Sequence, residues 1–548
     1  VVTPILGTVQ RRRSHTCATN LPSAPGHEPG FAAALAVAVV AAFLRLAYLA
    51  WWCPFDLATD EAHYWDWSRH LDWSYYSKGP LVAWLIRLSC WVWGQDTVLA
   101  IRFPAVACGS LTLLGVYQLT VQTTRRPAWG LAAQGVLLLL PVFTAGSLLM
   151  TIDAPYVCLW TWALVVAQRL TRAERPGSWG WAGLGLLLGL GILAKYTMVL
   201  FLPGLLLYLL AIPDQRQRLA TLGPWLTPAV ASLSGLPILM WNWQHDWVTL
   251  KHVGGQAGWT EAKVSPWLGP LEFLGGQTAL LLGLGFALWL MVLVHQARRF
   301  QRRQVERPDD PAFLLACLAA PMFGVFLAFS VKTKVQPNWP IAAYITALPL
   351  MVAWVAERWR ASEWVWLRRT VLGTLTVAAG STALIHDTAM LYPMHGWLHP
   401  RGSVRTWDPS ARLRGWSELA ARVEAVRQEL RDQGHEPVLA AAVWNVPGTL
   451  AFYLPDHPEV YCYGVIAGSR HSQYDLWRPN PVADPATFQG RTFICVGDMP
   501  PAVQAGFAHV DPPRIVQHVV HGQVVATWWI TVAHGFQGWP TTAAGGSY

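Results

Sequence analysis

The feature that most constrains this chain is a succession of apolar runs, at 31–51, 98–121, 129–148, 154–170, 179–194, 197–213, 224–241, 274–296, 312–331, 339–356 and 367–386. Each approaches the roughly 20 residues that a helix needs to cross a bilayer. Inside lipid every backbone N–H and C=O has to be paired within the protein, so runs of this kind fold as helices. The expected fold is mainly α, a polytopic transmembrane helical bundle of about 11–13 helices. Composition agrees: 13% of the residues are charged, against about a quarter in a soluble protein. The 33 tryptophans add a ring that collects at membrane interfaces.

The formal net charge of +9 would suggest a nucleic-acid partner in a soluble chain. Its placement points to topology instead. Arginines gather in alternate gaps between the runs, at Arg11, Arg12 and Arg13, Arg125 and Arg126, Arg169, Arg172 and Arg175, Arg216 and Arg218, Arg298 to Arg307, and Arg358 to Arg369. By the positive-inside rule these gaps and the N-terminus face the cytoplasm, and no nucleic acid is implied. The alternation requires LVAWLIRLSCWVW, Leu81–Trp93, to lie on the outer surface as an amphipathic helix rather than to cross.

Residues 1–30 are polar and aperiodic and read as a disordered cytoplasmic tail. The run 31–51 is too long for a cleavable signal and reads as a retained anchor, so 31–390 is the transmembrane domain. From 391 to 548 the hydropathy falls. There WSELAARVEAVRQEL has helical spacing, and PVLAAAV, EVYCYG, RTFICVG and VVATWWITV read as strands, giving a small extracytoplasmic α/β domain. Cysteine spacing marks no metal site, and Cys462 and Cys495 are candidates for a disulfide in this domain.

The outward loops are where polar chemistry concentrates. The first, 52–97, contains FDLATDEAHYWDWSRHLDWSYYSKGPLVAW, with Asp60 and Glu61 adjacent at its start. Interfacial anchoring by its aromatics, with the acids facing water, accounts for much of that composition. Asp153, in LLMTIDAPY, is the one acid of a tight turn on the same membrane face. Capping of the following helix is one reason for an acid there. Two carboxylates converging on one face also suit a site where one takes a proton. Lys332 and Lys334 in VKTKVQPNWP and Lys195 in ILAKYT sit at the outer boundary, where each could simply snorkel. Together they would make a phosphate pocket at headgroup depth. Acids to activate a hydroxyl and lysines to hold a phosphate fit glycosyl transfer from a lipid-linked sugar.

The run DEAHYWDWSRHLDWSYYSKGPLVAW resembles the first-loop signature of the GT-C superfamily of membrane glycosyltransferases, which use dolichyl- or polyprenyl-phosphate sugars. It is nearest to the aminoarabinose transferases, the protein O-mannosyltransferases and the bacterial lipopolysaccharide-sugar transferases, the family 39/83 type. LLMTIDAPYVCLW, LAKYTMVL, WNWQHDWVTLKH and VQPNWPIAAY follow in that family's order, over 31 to about 390. RHSQYDLW, 470–477, is similar to outer-domain tails of some bacterial members. The chain departs from an Asp-His/Lys-Pro-Pro turn seen in many relatives, having Ser77, Lys78, Gly79 and Pro80 instead.

The resemblance implies a multi-pass enzyme of the bacterial inner membrane with its site facing the periplasm. It moves a monosaccharide, with inversion, from a polyprenyl-phosphate donor such as undecaprenyl phosphate to a hydroxyl of lipid A, another glycan or a protein. In that reading Asp60 is the base, Glu61 and Asp153 orient acceptor or base, and Lys78, Lys195, Lys332 or Lys334 stabilise the leaving phosphate. Tyr64, Trp65, Tyr75, Tyr76 and Asn338 complete the substrate site. The chain is expected to act as a monomer in the bilayer, with no organic cofactor and with a divalent metal left open. Two rival readings are a polytopic transporter and a lipid-linked glycan ligase or polymerase. The near absence of Asp and Glu inside the runs argues against the transporter.

Overall fold

A computed structural model describes residues 29–256, 264–302, 310–359, 361–398 and 402–540. The tail expected over 1–30 lies almost wholly outside the described residues. Every apolar run becomes helical. In order these are α1 (Pro29–Trp51), α4 (Val98–Thr124), α5 and α6 (Pro127–Leu139 and Pro141–Gly146), α7 (Asp153–Arg172), α8 (Ser178–Ala194), α9 (Phe201–Ala211), α11 (Gly223–Gln244), α13 and α14 (Leu268–Leu280 and Leu284–Gln301), α15 (Pro311–Phe329), α16 (Ile341–Arg358) and α17 (Val365–Ile385). The outer loops supply α2 (Thr59–Arg69), α3 (Leu81–Trp93) and α12 (Val248–Gln256), and α10 (Pro213–Arg216) is a single turn.

Several runs differ from simple spans. Among the described residues α1, α4, α15 and α16 are each long and apolar enough to cross unaided. The run expected as one span over 274–296 is broken: α13 and α14 meet at 108°. Leu282 and Gly283 at the break both have positive φ, which no continuous helix accommodates. The run at 129–148 breaks between α5 and α6, where Pro141 cannot donate to the preceding turn. Helix α3, with 13 residues, is about 20 Å long at 1.5 Å per residue and falls short of the hydrocarbon core. Val82, Ala83 and Ile86 bury one face of it while Leu88, Trp91 and Val92 remain exposed, the pattern of a helix lying at the surface.

The C-terminal region begins with α18 (His395–Leu398) and continues as α19 (Trp416–Asp432), β1 (Val438–Ala441), α20 (Pro447–Tyr453), β2 (Val460–Cys462), β3 (Phe493–Val496), β4 (Phe507–Val510), β5 (Arg514–Val520) and β6 (Gln523–Phe536). The sheet order is β2-β1-β3-β6-β4, with β5 also on β6, and β1 runs parallel to both of its neighbours. β4 and β5 were not among the expected strands; neither carries a buried run, each having a single buried residue. Cys462 pairs with Ala441 and Cys495 with Ala440, on opposite sides of β1. Successive residues of a strand face opposite ways, so the two sulfurs sit on different faces with a strand between them, and both cysteines are free. The disulfide is ruled out by register.

This region is not a separate body. One hydrophobic core joins Trp416, Leu419 and Val423 of α19 and Leu450 of α20 to Trp65 of α2, Val82 and Ile86 of α3, and Met150. The domain therefore closes over the first outer loop and holds it in place.

Candidate active site

Helix α2 carries the site's first acid, and its fixing point is the residue beside it. Glu61 is fully buried and opposed by Arg102 of α4, likewise fully buried, with Arg102 Nη2 donating at 2.8 Å and Nε at 3.0 Å. Glu61 also accepts from the backbone N–H of Ala58 at 2.8 Å and of Met150 at 2.7 Å. Arg102 in turn donates to the carbonyls of Phe55 and Asp56. One carboxylate thus ties together the entry to α2, the start of α4 and the turn that leads into α7. Both of its oxygens are engaged by protein, which suits the base-orienting alternative for Glu61 better than contact with an acceptor.

Asp153, three residues beyond Met150, opens α7. Its side chain does not cap that helix. It accepts instead from Lys195 Nζ at 2.7 Å and from Asn338 Nδ2 at 2.7 Å. Lys195 ends α8 and lies over the Tyr156 ring. Three elements remote in sequence therefore converge on one carboxylate.

Asp60 itself is exposed, with neighbouring protein around its carboxylate. The surrounding protein strips water from its carboxylate and raises its pKa; Lys78 and Arg470 oppose the rise, while Glu61 and Asp153 add to it. Lys78 is the counterpart: burial and then Lys195 lower its pKa, against Asp60 and Asp153. Each group registers the other's field, so Asp60, Lys78, Asp153 and Lys195 form one electrostatic unit. Gly79 makes it attainable. A Cβ there would collide with the Leu193 carbonyl of α8, so only glycine lets the Lys78 turn lie against the end of α8 where Lys195 stands.

Arg470 is the member that reasoning from residues passed over, although the motif RHSQYDLW contains it. Its guanidinium lies 4.4 Å from the Trp444 ring centroid and 3.4 Å from His252 Nε2. Burial lowers its pKa, opposed by Tyr76, Asp60 and Tyr64. The same segment docks the outer domain on the first loop. Gln473 accepts from the Tyr76 N–H at 2.7 Å, and Tyr474 donates to Asp66 at 2.8 Å while meeting His63 Nδ1 at 3.2 Å. Burial pushes His63 down to about 3, so it is neutral there.

The remaining expected residues divide. Tyr64 belongs with the cluster, its phenol pushed up by burial and then by Asp60 and Asp153. Tyr76 packs on His252 at the same wall. Trp65 and Tyr75 are structural: the Trp65 indole donates to Asp96, and Tyr75 stacks on Trp67 and donates to the carbonyls of Trp67 and His70. Neither anchors in the interface, because both are fully buried beneath protein. Lys332 and Lys334 are exposed, and neither makes a hydrogen bond or ion pair among the described residues. Of their loop, Asn338 is the residue that reaches the cluster. No group of three or more His, Cys, Asp or Glu is arranged to hold a metal among the described residues.

A helical membrane bundle with a small α/β domain at one end matches the GT-C membrane glycosyltransferases in sequence and in fold. The profile of the dolichyl-phosphate-mannose-protein mannosyltransferase family matches residues 77–241. Lipid A galacturonosyltransferase RgtD of Rhizobium johnstonii is 29% identical over 355 residues, 64% of this chain and 69% of its own. The undecaprenyl phosphate-alpha-4-amino-4-deoxy-L-arabinose arabinosyl transferase of Pectobacterium atrosepticum is 26% identical over 300 residues, 52% of this chain and 50% of its own. In fold the chain is similar to the crystal structure of ArnT from Cupriavidus metallidurans bound to undecaprenyl phosphate, with a TM-score of 0.59 at 15% identity over 91% of this chain and 97% of that one. The chain is a membrane glycosyltransferase.

The Gly79 contact gives a first expectation. Gly79→Ala should cut turnover about a hundredfold, since a displacement near 1 Å of a positioned group costs that much. Melting in detergent beside a turnover assay checks this; wild-type turnover would remove the turn from the site.

Proposed function

We propose that the chain transfers a single sugar from a polyprenyl-phosphate donor to a hydroxyl of a lipid A-type glycolipid, with inversion, at the periplasmic face of a bacterial inner membrane. The observation that carries the reading is the convergence of Asp60, Lys78 and the pair of Asp153 and Lys195, each group lying within the others' field. The names of the relatives supply the donor and acceptor classes.

The chemistry follows from the groups present. Asp60 takes the proton of the acceptor hydroxyl, and its raised pKa brings it nearer to the operating pH at which a general base is most effective. The acceptor oxygen attacks the anomeric carbon as the bond to the phosphate oxygen breaks, and the electron pair leaves with the phosphate. Lys78 and Lys195 are placed to hold that phosphate through charge-assisted hydrogen bonds. Arg470, fixed over Trp444, adds a further cation within the field of Asp60. Asp153 and Asn338 keep Lys195 aimed.

The deciding experiment supplies purified protein in nanodiscs with polyprenyl-phosphate sugars and lipid A. Mass spectrometry should find lipid A heavier by one sugar residue. No product from any lipid-linked monosaccharide would overturn the reading, and addition of a whole glycan would favour a ligase. Lys78→Ala should raise the apparent donor KM about tenfold or more, the loss of one charge-assisted hydrogen bond, while lowering kcat less. An unchanged donor KM would remove Lys78 from the phosphate site.

A further inference from the structure

Arg45 is the one charged residue of α1, LAVAVVAAFLRLAYLAW, and it lies six residues before the helix ends at Trp51. At 1.5 Å per residue that is about 9 Å below the outer end of the helix, within the membrane-spanning part. Its side chain is 8% exposed. Nη1 is buried without a hydrogen-bond partner, and no carboxylate pairs with the guanidinium among the described residues. An ionised group at such depth is costly unless something neutralises it, and such residues in spans mark functional sites.

What Arg45 faces is a cavity of about 200 Å³ between α1, α4, α6, α7 and α16. Gly109, Thr112 and Ser147 stand beside the guanidinium end, Val142 gives an apolar wall, and Asp153 and Asn338 form another part of the lining. A Cβ on Gly109 would collide with Ser147 Oγ and come within 3.2 Å of Arg45 Nη1, so glycine keeps this end open. The hydroxyls of Thr112 and Ser147 donate to their own helices, at 2.8 and 2.7 Å, which leaves their oxygens as acceptors and the guanidinium as the cavity's unspent donor. The cavity thus reaches from Asp153, which holds Lys195, to an unpaired cation.

We propose that Arg45 is the anion end of a second substrate subsite, which takes a phosphate ester carried by a lipid substrate. A guanidinium matches phosphate geometry with paired donors. The apolar wall and the depth favour a lipid-borne phosphate over a free one. Neither Lys78 nor Lys195 lines this cavity, so this cation is additional to theirs. The inference rests on the proposed lipid-phosphate chemistry, but its test measures binding and needs no turnover.

The full chain in phosphatidylcholine nanodiscs would be titrated with polyprenyl phosphate, with bisphosphorylated lipid A and with dephosphorylated lipid A. Arg45→Gln should weaken one of the two phosphorylated lipids about tenfold, the loss of a charge-assisted hydrogen bond, and leave the dephosphorylated lipid unchanged. Which phosphorylated lipid responds identifies the source, donor carrier or acceptor, and either response supports the subsite. Ligand-free Arg45→Met should melt no lower than wild type, because the arginine has no protein partner to lose. Unchanged affinity for both phosphorylated lipids in Arg45→Gln would overturn the proposal, as would a large drop in the melting temperature of Arg45→Met, which would mark a structural arginine. A wild-type chain that binds these lipids and transfers no sugar would count against the enzymatic reading alone.

Discussion

Asp60→Asn is expected to slow transfer by a hundredfold to ten-thousandfold, on the order of what a positioned general base contributes, while the protein stays folded. The amide keeps the side chain's shape and removes only its capacity to take a proton. Two further readouts separate this from general damage. Because the desolvating protein around its carboxylate holds the Asp60 pKa above its ordinary value of about 3.9, the acid limb of kcat should lie above that value in wild type. Residual activity of the variant should lose that limb. The stability effect has a definite sign as well. Folding raises this pKa, so the ionised carboxyl destabilises the fold at neutral pH, and the cost fades as pH falls through the folded pKa. Asp60→Asn should therefore melt at the same temperature as wild type or higher at pH 7. Wild-type turnover in this variant would sink the base assignment.

Arg102→Met should produce the largest loss of stability. It leaves Glu61 buried and ionised with two backbone donors and no cation, a situation that costs about 3–5 kcal/mol. The damage should be specific in its geometry. With Glu61 no longer held, the backbone of Met150 loses its anchor, and Asp153 moves relative to Asp60. A Glu61→Gln and Arg102→Met double variant removes both charges, and should recover much of the melting temperature but little of the activity. Equal melting of wild type and Arg102→Met, measured in detergent, would show that the pair does not organise the loop.

How much of this was legible beforehand differs from residue to residue. Hydropathy located every helical run, since lipid admits no other way to pair a backbone. It could not see that 274–296 breaks, because the two left-handed residues there have ordinary side-chain polarity. Asp60, Asp153, Lys78 and Lys195 were identified as types and places; their convergence needed the bundle. Glu61, adjacent to Asp60, looked equivalent to it. One residue along a helix turns a side chain by about 100°, and that rotation sends Glu61 toward Arg102 while Asp60 faces the cleft. Trp65 and Tyr75 read as interfacial aromatics because the sequence does not say what covers them, and the C-terminal domain does.

The order and polarity of residues along the chain determined that it lives in a membrane, and marked its arginine-rich gaps as candidates for the inner face and its acids and lysines as candidates for the site. Those are one-dimensional properties, set by transfer free energies and loop charge that act on each segment separately. Which acid works and which one holds, why Gly79 and not a second proline precedes α3, how Arg470 reaches the first loop, and why Arg45 stands unpaired were decided only by tertiary packing. Each depends on the approach of groups from tens to hundreds of residues apart, and the burial and fields created there have no counterpart in the isolated segments.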